Sequence, residues 1–97
     1  MDDIQFSWDA RKASQNQKKH GVSFEEAMTV FHDTNAAEFY DPGHSEGEDR
    51  FLMLGLSWQL RVLVVSYTFK KRQSKIRIIS ARKATKKETK AYTGKAK

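Results

Sequence analysis

The sequence predicts an α+β domain with element order α-α-β-β-β-β-α: two N-terminal helices, an antiparallel sheet of about four strands and a C-terminal helix. Three observations lead there. Helix-capping residues cluster before residue 33 and after residue 84. The interval between holds runs of β-branched and aromatic residues. Strands grouped apart from helices signal α+β rather than an alternating α/β chain.

Phe6 and Trp8 alternate with polar residues, as a short edge strand or a lead-in. Asp9 can cap the first helix, its carboxylate accepting from free N–H groups of the first turn. Residues 10–19 contain good helix formers and no proline. Gly21, after His20, supplies the left-handed residue that ends the helix. Only Ala10 and Ala13 form an apolar face, so this helix should lie on the surface. Ser23-Phe24-Glu25-Glu26 reads as a capping box, in which Ser23 covers the Glu26 N–H and Glu26 reaches back. Phe24, Ala27, Met28 and Phe31 follow at helical spacing as a core stripe, ending near His32-Asp33.

Residues 36–40 form a short strand candidate, and 41–49 a polar loop holding the one proline. The apolar runs 50–56 and 61–69 are separated by a turn at Ser57-Trp58-Gln59, which predicts a meander. Residues 70–74 turn again into a strand over 75–82. Thr85-Lys86-Lys87-Glu88 is a second capping box, so the last helix covers about 85–93 and stops at Gly94.

Ninety-seven residues make one domain, 1–97, with a single modest core. The absence of cysteine excludes disulfides, thiolate metal sites and cysteine nucleophiles. No apolar run reaches the length of a membrane helix. Met1-Asp2-Asp3 lacks the basic and apolar regions of a signal peptide, so the expectation is a soluble, cytoplasmic protein with no membrane partner. The net charge is +6, unevenly placed. Residues 70–97 hold twelve Lys and Arg and one acid, Glu88; the rest carries six basic and eleven acidic groups. Such asymmetry points to a polyanion or an acidic partner protein, with a merely solvated basic tail as the plain alternative.

A small, cysteine-free basic domain can cleave RNA without a metal by letting the RNA's own 2′-hydroxyl attack the adjacent phosphate. The protein then supplies a base, an acid and fixed positive charge. His20, following Lys18 and Lys19, has the pKa range for acid–base work, or else serves the end of its helix as a cation. His32 reads as a structural histidine. Asp41, His44, Glu46 and Glu48 can hold a divalent metal or form a solvated acidic loop; the spacing matches no metal motif, and no cofactor is expected. Glu48 can orient an arginine or act as a base. Arg50, Arg61, Arg77 and Arg82 lie in or at the ends of strands, where they converge on one face or pair with acids. Arg77 alternates with Ile76 and Ile78 and shares a face with Ile79 in a regular strand. Tyr67, Phe69 and Tyr92 can stack bases, although core burial is the stronger reading for Phe69 and competes for Tyr67.

Phe6-x-Trp8-Asp9, Asn16-x-x-Lys19-His20-Gly21-Val22-Ser23-Phe24-Glu25-Glu26-Ala27, Glu48-x-Arg50-Phe51 and Ile76-Arg77-Ile78-Ile79-Ser80-Ala81-Arg82-Lys83-Ala84-Thr85 resemble the BrnT toxins of bacterial type II toxin–antitoxin systems. The likeness spans residue 6 to about 92; Ala10 and the turn Lys70-Lys71-Arg72-Gln73 are mild departures. The resemblance implies a RelE-like fold and a ribonuclease toxin that cleaves mRNA, inhibits translation and is neutralised by a BrnA-type antitoxin, the complex alone contacting operator DNA. Carried over by position, it makes Lys19, His20, Glu48, Arg61, Arg77 and Arg82 the expected catalytic set. Arg50, Lys83, Lys86 and Tyr92 are the expected RNA-binding residues. The alternative is a non-catalytic basic domain binding nucleic acid or an acidic protein by charge.

Overall fold

The computed structural model describes residues 3–45 and 47–95. In chain order the elements are β1 (Gln5–Ser7), α1 (Ala10–His20), α2 (Phe24–Thr29) with a 3-10 turn after it, β2 (Ala37–Tyr40), β3 (Arg50–Leu56), β4 (Val62–Lys70), β5 (Lys75–Lys83) and α3 (Lys86–Lys95). The class is α+β, as expected, but the sheet is larger and mixed. Its five strands lie in the order β1-β5-β4-β3-β2. The stretch around Phe6 is a true edge strand, parallel to β5, while the other pairings are antiparallel.

Local chemistry sets the helix ends. Asp9 accepts from the N–H groups of Arg11 (2.8 Å) and Lys12 (3.2 Å), and these bonds lower its carboxyl pKa. Gly21 takes a φ of 68° and its N–H donates to the Gln17 carbonyl. Ser23 Oγ accepts from the Glu26 N–H at 3.0 Å, but Glu26 does not reach back: its carboxylate turns inward to Arg61 and Ser57. The box before α3 closes fully, with Thr85 N–H on Glu88 Oε1 (2.8 Å) and Glu88 N–H on Thr85 Oγ1 (3.1 Å). That helix runs on through Gly94, which keeps an ordinary φ, rather than stopping there.

α1 and α2 cover one face of the sheet. Phe24, Ala27 and Val30 pack with Leu63, Val65, Tyr67, Ile76, Ile78 and Ala81, with Phe6 and Phe31 beside them. Each such large apolar side chain contributes about 1.5–3 kcal/mol on burial. Edge-on aromatic contacts link Phe6 to Phe31 (5.3 Å) and Phe31 to Tyr67 (4.9 Å), fastening β1 into the layer. Gly55 lets the turn after α2 approach β3: a Cβ there would meet Val30 Cγ1 at 2.8 Å and Ala36 Cβ at 2.9 Å. α1 lies on the surface, as its thin apolar face suggests, and Asn16 alone reaches inward. Asn16 is buried, donates to the Val22 and Ala81 carbonyls (2.9 and 2.8 Å) and accepts from the Ala81 N–H (3.1 Å).

The other face of the sheet is half covered. Tyr92 of α3 packs against Leu54 and Val64, and its hydroxyl donates to Asp33 at 2.6 Å. No helix among the described residues is long and apolar enough to cross a membrane.

Candidate functional site

The part of this second face that α3 leaves open is ordered by strand register. Its outermost row is Arg50–Thr68–Arg77, the next Leu52–Ser66–Ser80, and the third, at the edge of α3, Leu54–Val64–Arg82. Alternation puts these side chains opposite Tyr67, Ile76 and Ile78, which enter the core. β4 and β5 lose register between Ser66 and Tyr67, leaving Ile79 as an extra residue in β5. The bulge breaks the simple alternation expected for that strand and returns Arg82 to the face that carries Arg77.

Arg77 is exposed and its side chain has no ion-pair or hydrogen-bond partner among the described residues. At the same end of the sheet, Glu48 pairs with Lys70 at 3.0 Å. That hydrogen bond lowers the Glu48 pKa against the opposing effect of burial, and the charges of Lys70, Arg77 and Arg50 lower it further. Arg50, Arg77, Lys70 and Glu48 therefore share one electrostatic neighbourhood. The side-chain atoms Arg50 Nε and Thr68 Oγ1 are buried and meet no partner among the described residues.

Arg82, on the third row, is clamped by Glu88, Nη1 to Oε1 at 2.8 Å and Nη2 to Oε2 at 3.0 Å. The guanidinium, with the Thr85 N–H second, holds the Glu88 carboxyl at about 2. Arg82 thus ties the N-terminus of α3 to β5 while standing on the basic face.

Lys19 and His20 lie at the margin. They line a shallow cavity of about 180 Å³ with Ile79 and Ser80, at the β5 edge beside the second row. Neither side chain makes a hydrogen bond or ion pair among the described residues.

Other expected site residues sit elsewhere. Arg61 is off the open face: its Nε donates to Glu26 Oε2 at 2.9 Å, Nη2 donates to Glu26 Oε1, and Nη2 also donates to the Gly21 carbonyl at 3.1 Å. Glu26 is 1% exposed, and its pKa is lowered first by Arg61, then, against burial, by Ser57. Arg61 so fixes the turn that follows His20 instead of meeting the other arginines. Lys83 pairs in register with Leu63 and contributes to the field on Glu26, on the helix side. Lys86 lies on α3, on a surface shared with Lys87 and Lys90. Tyr92 is buried, so its ring packs on Leu54 and Val64 and is not presented for base stacking. Tyr67 is core, whereas Phe69 is exposed rather than core; it borders a cavity of about 660 Å³ on the helix side, lined by apolar residues with Asp3, His32 and Glu38 and by none of the expected catalytic or RNA-binding residues.

In the 41–49 loop, Asp41 pairs with His44 at 3.0 Å and Glu48 with Lys70; Glu46 lies outside the described residues. Among the described residues, no three potential ligands gather to hold a metal. Thr68, Ser66 and Ser80, which floor the face, went unnoticed in the sequence, where a threonine or serine in a strand carries no special signal. Phe39, half exposed, joins the second row from β2 through its pairing with Leu52.

Comparison with known proteins agrees with this architecture. No curated protein sequence matches the chain. The fold is similar to that of the Brucella abortus ribonuclease toxin BrnT, solved at 1.1 Å, with a TM-score of 0.66 at 21% identity, covering 87% of this chain and 100% of that one. Residues 8–88 match the profile of a family described as the ribonuclease toxin BrnT of type II toxin–antitoxin systems. With the match covering most of its length, the chain belongs to the BrnT family of ribonuclease toxins of type II toxin–antitoxin systems.

Proposed function

We propose that the open sheet face binds mRNA and cuts it without a metal ion, arresting translation. The observation that carries this is the Arg50–Thr68–Arg77 row in a chain of this family. Arg77 there is exposed and without an acidic partner among the described residues, beside Arg50 and Lys70. A guanidinium grips phosphate through two parallel N–H donors, and fixed positive charge favours the phosphorane more than the ground state.

In this reaction the 2′-oxygen forms a bond to phosphorus as the bond from phosphorus to the 5′-oxygen breaks. The 2′-hydroxyl proton passes to a base, and the leaving 5′-oxygen takes a proton from an acid. The products are a 2′,3′-cyclic phosphate and a 5′-hydroxyl. Glu48 holds Lys70 beside the phosphate row, and its lowered pKa suits that ion pair; His20, at the β5 margin with Lys19, is the side chain placed for proton transfer. Arg77 and Arg50 hold the phosphate, and Arg82 extends the basic face toward α3. Arg61 acts at a distance, through Glu26 and the Gly21 carbonyl, by holding the end of the helix that carries His20. Lys86 and its α3 neighbours give the RNA strand a basic path. A BrnA-type antitoxin neutralises the toxin in the cytoplasm, and operator DNA is met only through that complex.

The test is purified protein on mRNA in the presence of a chelator, with new 5′ ends mapped. Discrete 5′-hydroxyl ends from the wild type and none from Arg77→Ala are expected. Equal ends from both overturn the site. No ends from the wild type overturn catalysis and leave a basic binding domain, whose affinity falls steeply with salt.

A further inference from the structure

Thr68 stands at the centre of the outermost row, between Arg50 on one side and Arg77 on the other. It is 1% exposed, yet its Oγ1 has no hydrogen-bond partner among the described residues. Arg50 Nε, in the same row, is in the same condition, and these two are the only buried side-chain polar atoms so placed among the described residues. A buried hydroxyl without a partner destabilises a fold, whereas valine would fill the same strand position with the same shape and no polar cost. Two such atoms belong to one row, flanked by an arginine without a partner, and each is a donor for which the described residues supply no acceptor.

We infer that Thr68 is a phosphate ligand: its hydroxyl and Arg50 Nε donate to the RNA phosphate that Arg77 holds from the solvent side. This rests on the RNA-cleaving reading of the face and adds a residue to it. The pair bordering the row, Glu48–Lys70, has side chains 36% and 55% exposed. Such a pair contributes little, so an arriving phosphate displaces the Glu48 carboxylate from Lys70 at small cost.

The experiment uses full-length wild type, Thr68→Val, Thr68→Ser and Arg77→Ala. Each is measured by thermal denaturation, by binding to an RNA oligonucleotide with a 2′-deoxy substitution at the cut position, and by single-turnover cleavage. Relief of an unpaired buried hydroxyl raises the Tm of Thr68→Val by about 4 °C or more. The same substitution weakens oligonucleotide binding on the order of tenfold, since a hydrogen bond to a charged group is lost. Thr68→Ser binds as wild type does. A lowered Tm in Thr68→Val, or unchanged RNA binding in it while Arg77→Ala loses binding, overturns the Thr68 assignment alone. A wild type that neither binds nor cuts overturns both it and the reading of the face.

Discussion

Arg77 and Arg82 stand on the same face of β5 although they are five residues apart. An odd spacing puts side chains on opposite faces of a regular strand. The extra residue Ile79 resets the alternation, which also lets Ile76, Ile78 and Ala81 all enter the core. The two arginines share a face but not a state. Arg77 is free of acidic partners among the described residues, whereas Arg82 is clamped by Glu88. Arg77→Ala should therefore leave stability within about 0.5 kcal/mol, as an exposed substitution does, while cleavage falls about 100-fold or more. Arg82→Ala should lose about 0.5–1 kcal/mol, modest because the pair is partly exposed, and loosen the start of α3. Urea denaturation and a cleavage assay on both variants separate these outcomes; equal stability losses would count against the assignment.

Glu26 and Arg61 form the ion pair whose failure is costly. Glu26 is almost fully buried, so Arg61→Ala strands its charge; the expected loss is about 3 kcal/mol. The double variant with Glu26→Gln should recover a large part of it, because no buried charge is left. A double-mutant cycle by urea denaturation measures the coupling. Near-zero coupling would mean that the pair is not what locks the turn after His20.

Stability should fall at both ends of the pH scale. Glu26, Glu48, Asp33 and Glu88 all have lowered pKa values, Glu88 to about 2. Arg61, Lys70 and Arg82 are the chief partners of the three glutamates. For Asp33, burial opposes ionisation but is outweighed by bonds from Leu56, Tyr92 and Asn35. A lowered folded pKa stabilises above the unfolded value, ordinarily 4.5 for glutamate, and that stability drains as pH falls through the folded value. The urea midpoint should hold above about pH 5 and drop between about 4.5 and 2, less steeply in Glu88→Gln. Tyr92 runs the other way: burial, then Asp33, raises it to about 12 from 10.0. Its contribution is present below 10.0 and drains as pH approaches about 12; Tyr92→Phe should remove that part of the alkaline loss and leave the part due to Tyr67, which burial and then Glu38 also raise.

What the sequence made legible was local. Asp9, Gly21, Ser23 and Thr85 act on neighbours two to four residues away, so their caps are visible in one dimension. The strands of the meander follow from apolar runs and turns. What stayed hidden depends on distant partners. β1 pairs with a strand seventy residues later, and a three-residue edge segment carries no pattern strong enough to reveal this. Glu26 looked like half of a capping box, but Arg61, half-buried just before β4, outcompetes the local bond. Tyr92 looked like an exposed aromatic because the acceptor of its hydroxyl, Asp33, lies on another element. The arginines were visible as a set; which were free and which were spent on acids was not.

Asn16 gives the sharpest test of that hidden layer. One side chain in α1 bonds the carbonyls of Val22 and Ala81 and the Ala81 N–H, so it joins α1, the following turn and β5 two residues after the bulge. Its amide is suited to this because it donates twice and accepts once. Asn16→Asp keeps the shape and the acceptor but removes both donors and places a carboxylate against two carbonyl oxygens. Asn16→Ala leaves the same three backbone groups short of partners without adding repulsion. The expected losses are about 2–4 kcal/mol for Asn16→Asp and somewhat less for Asn16→Ala. Because a protonated acid can donate once, the Asn16→Asp variant should regain part of its deficit as pH falls from 7 to 5, a range over which the wild type holds steady. Urea midpoints for the two variants across that range decide the matter. An Asn16→Asp variant as stable as wild type at pH 7 would show that these bonds do not tie α1 to the sheet.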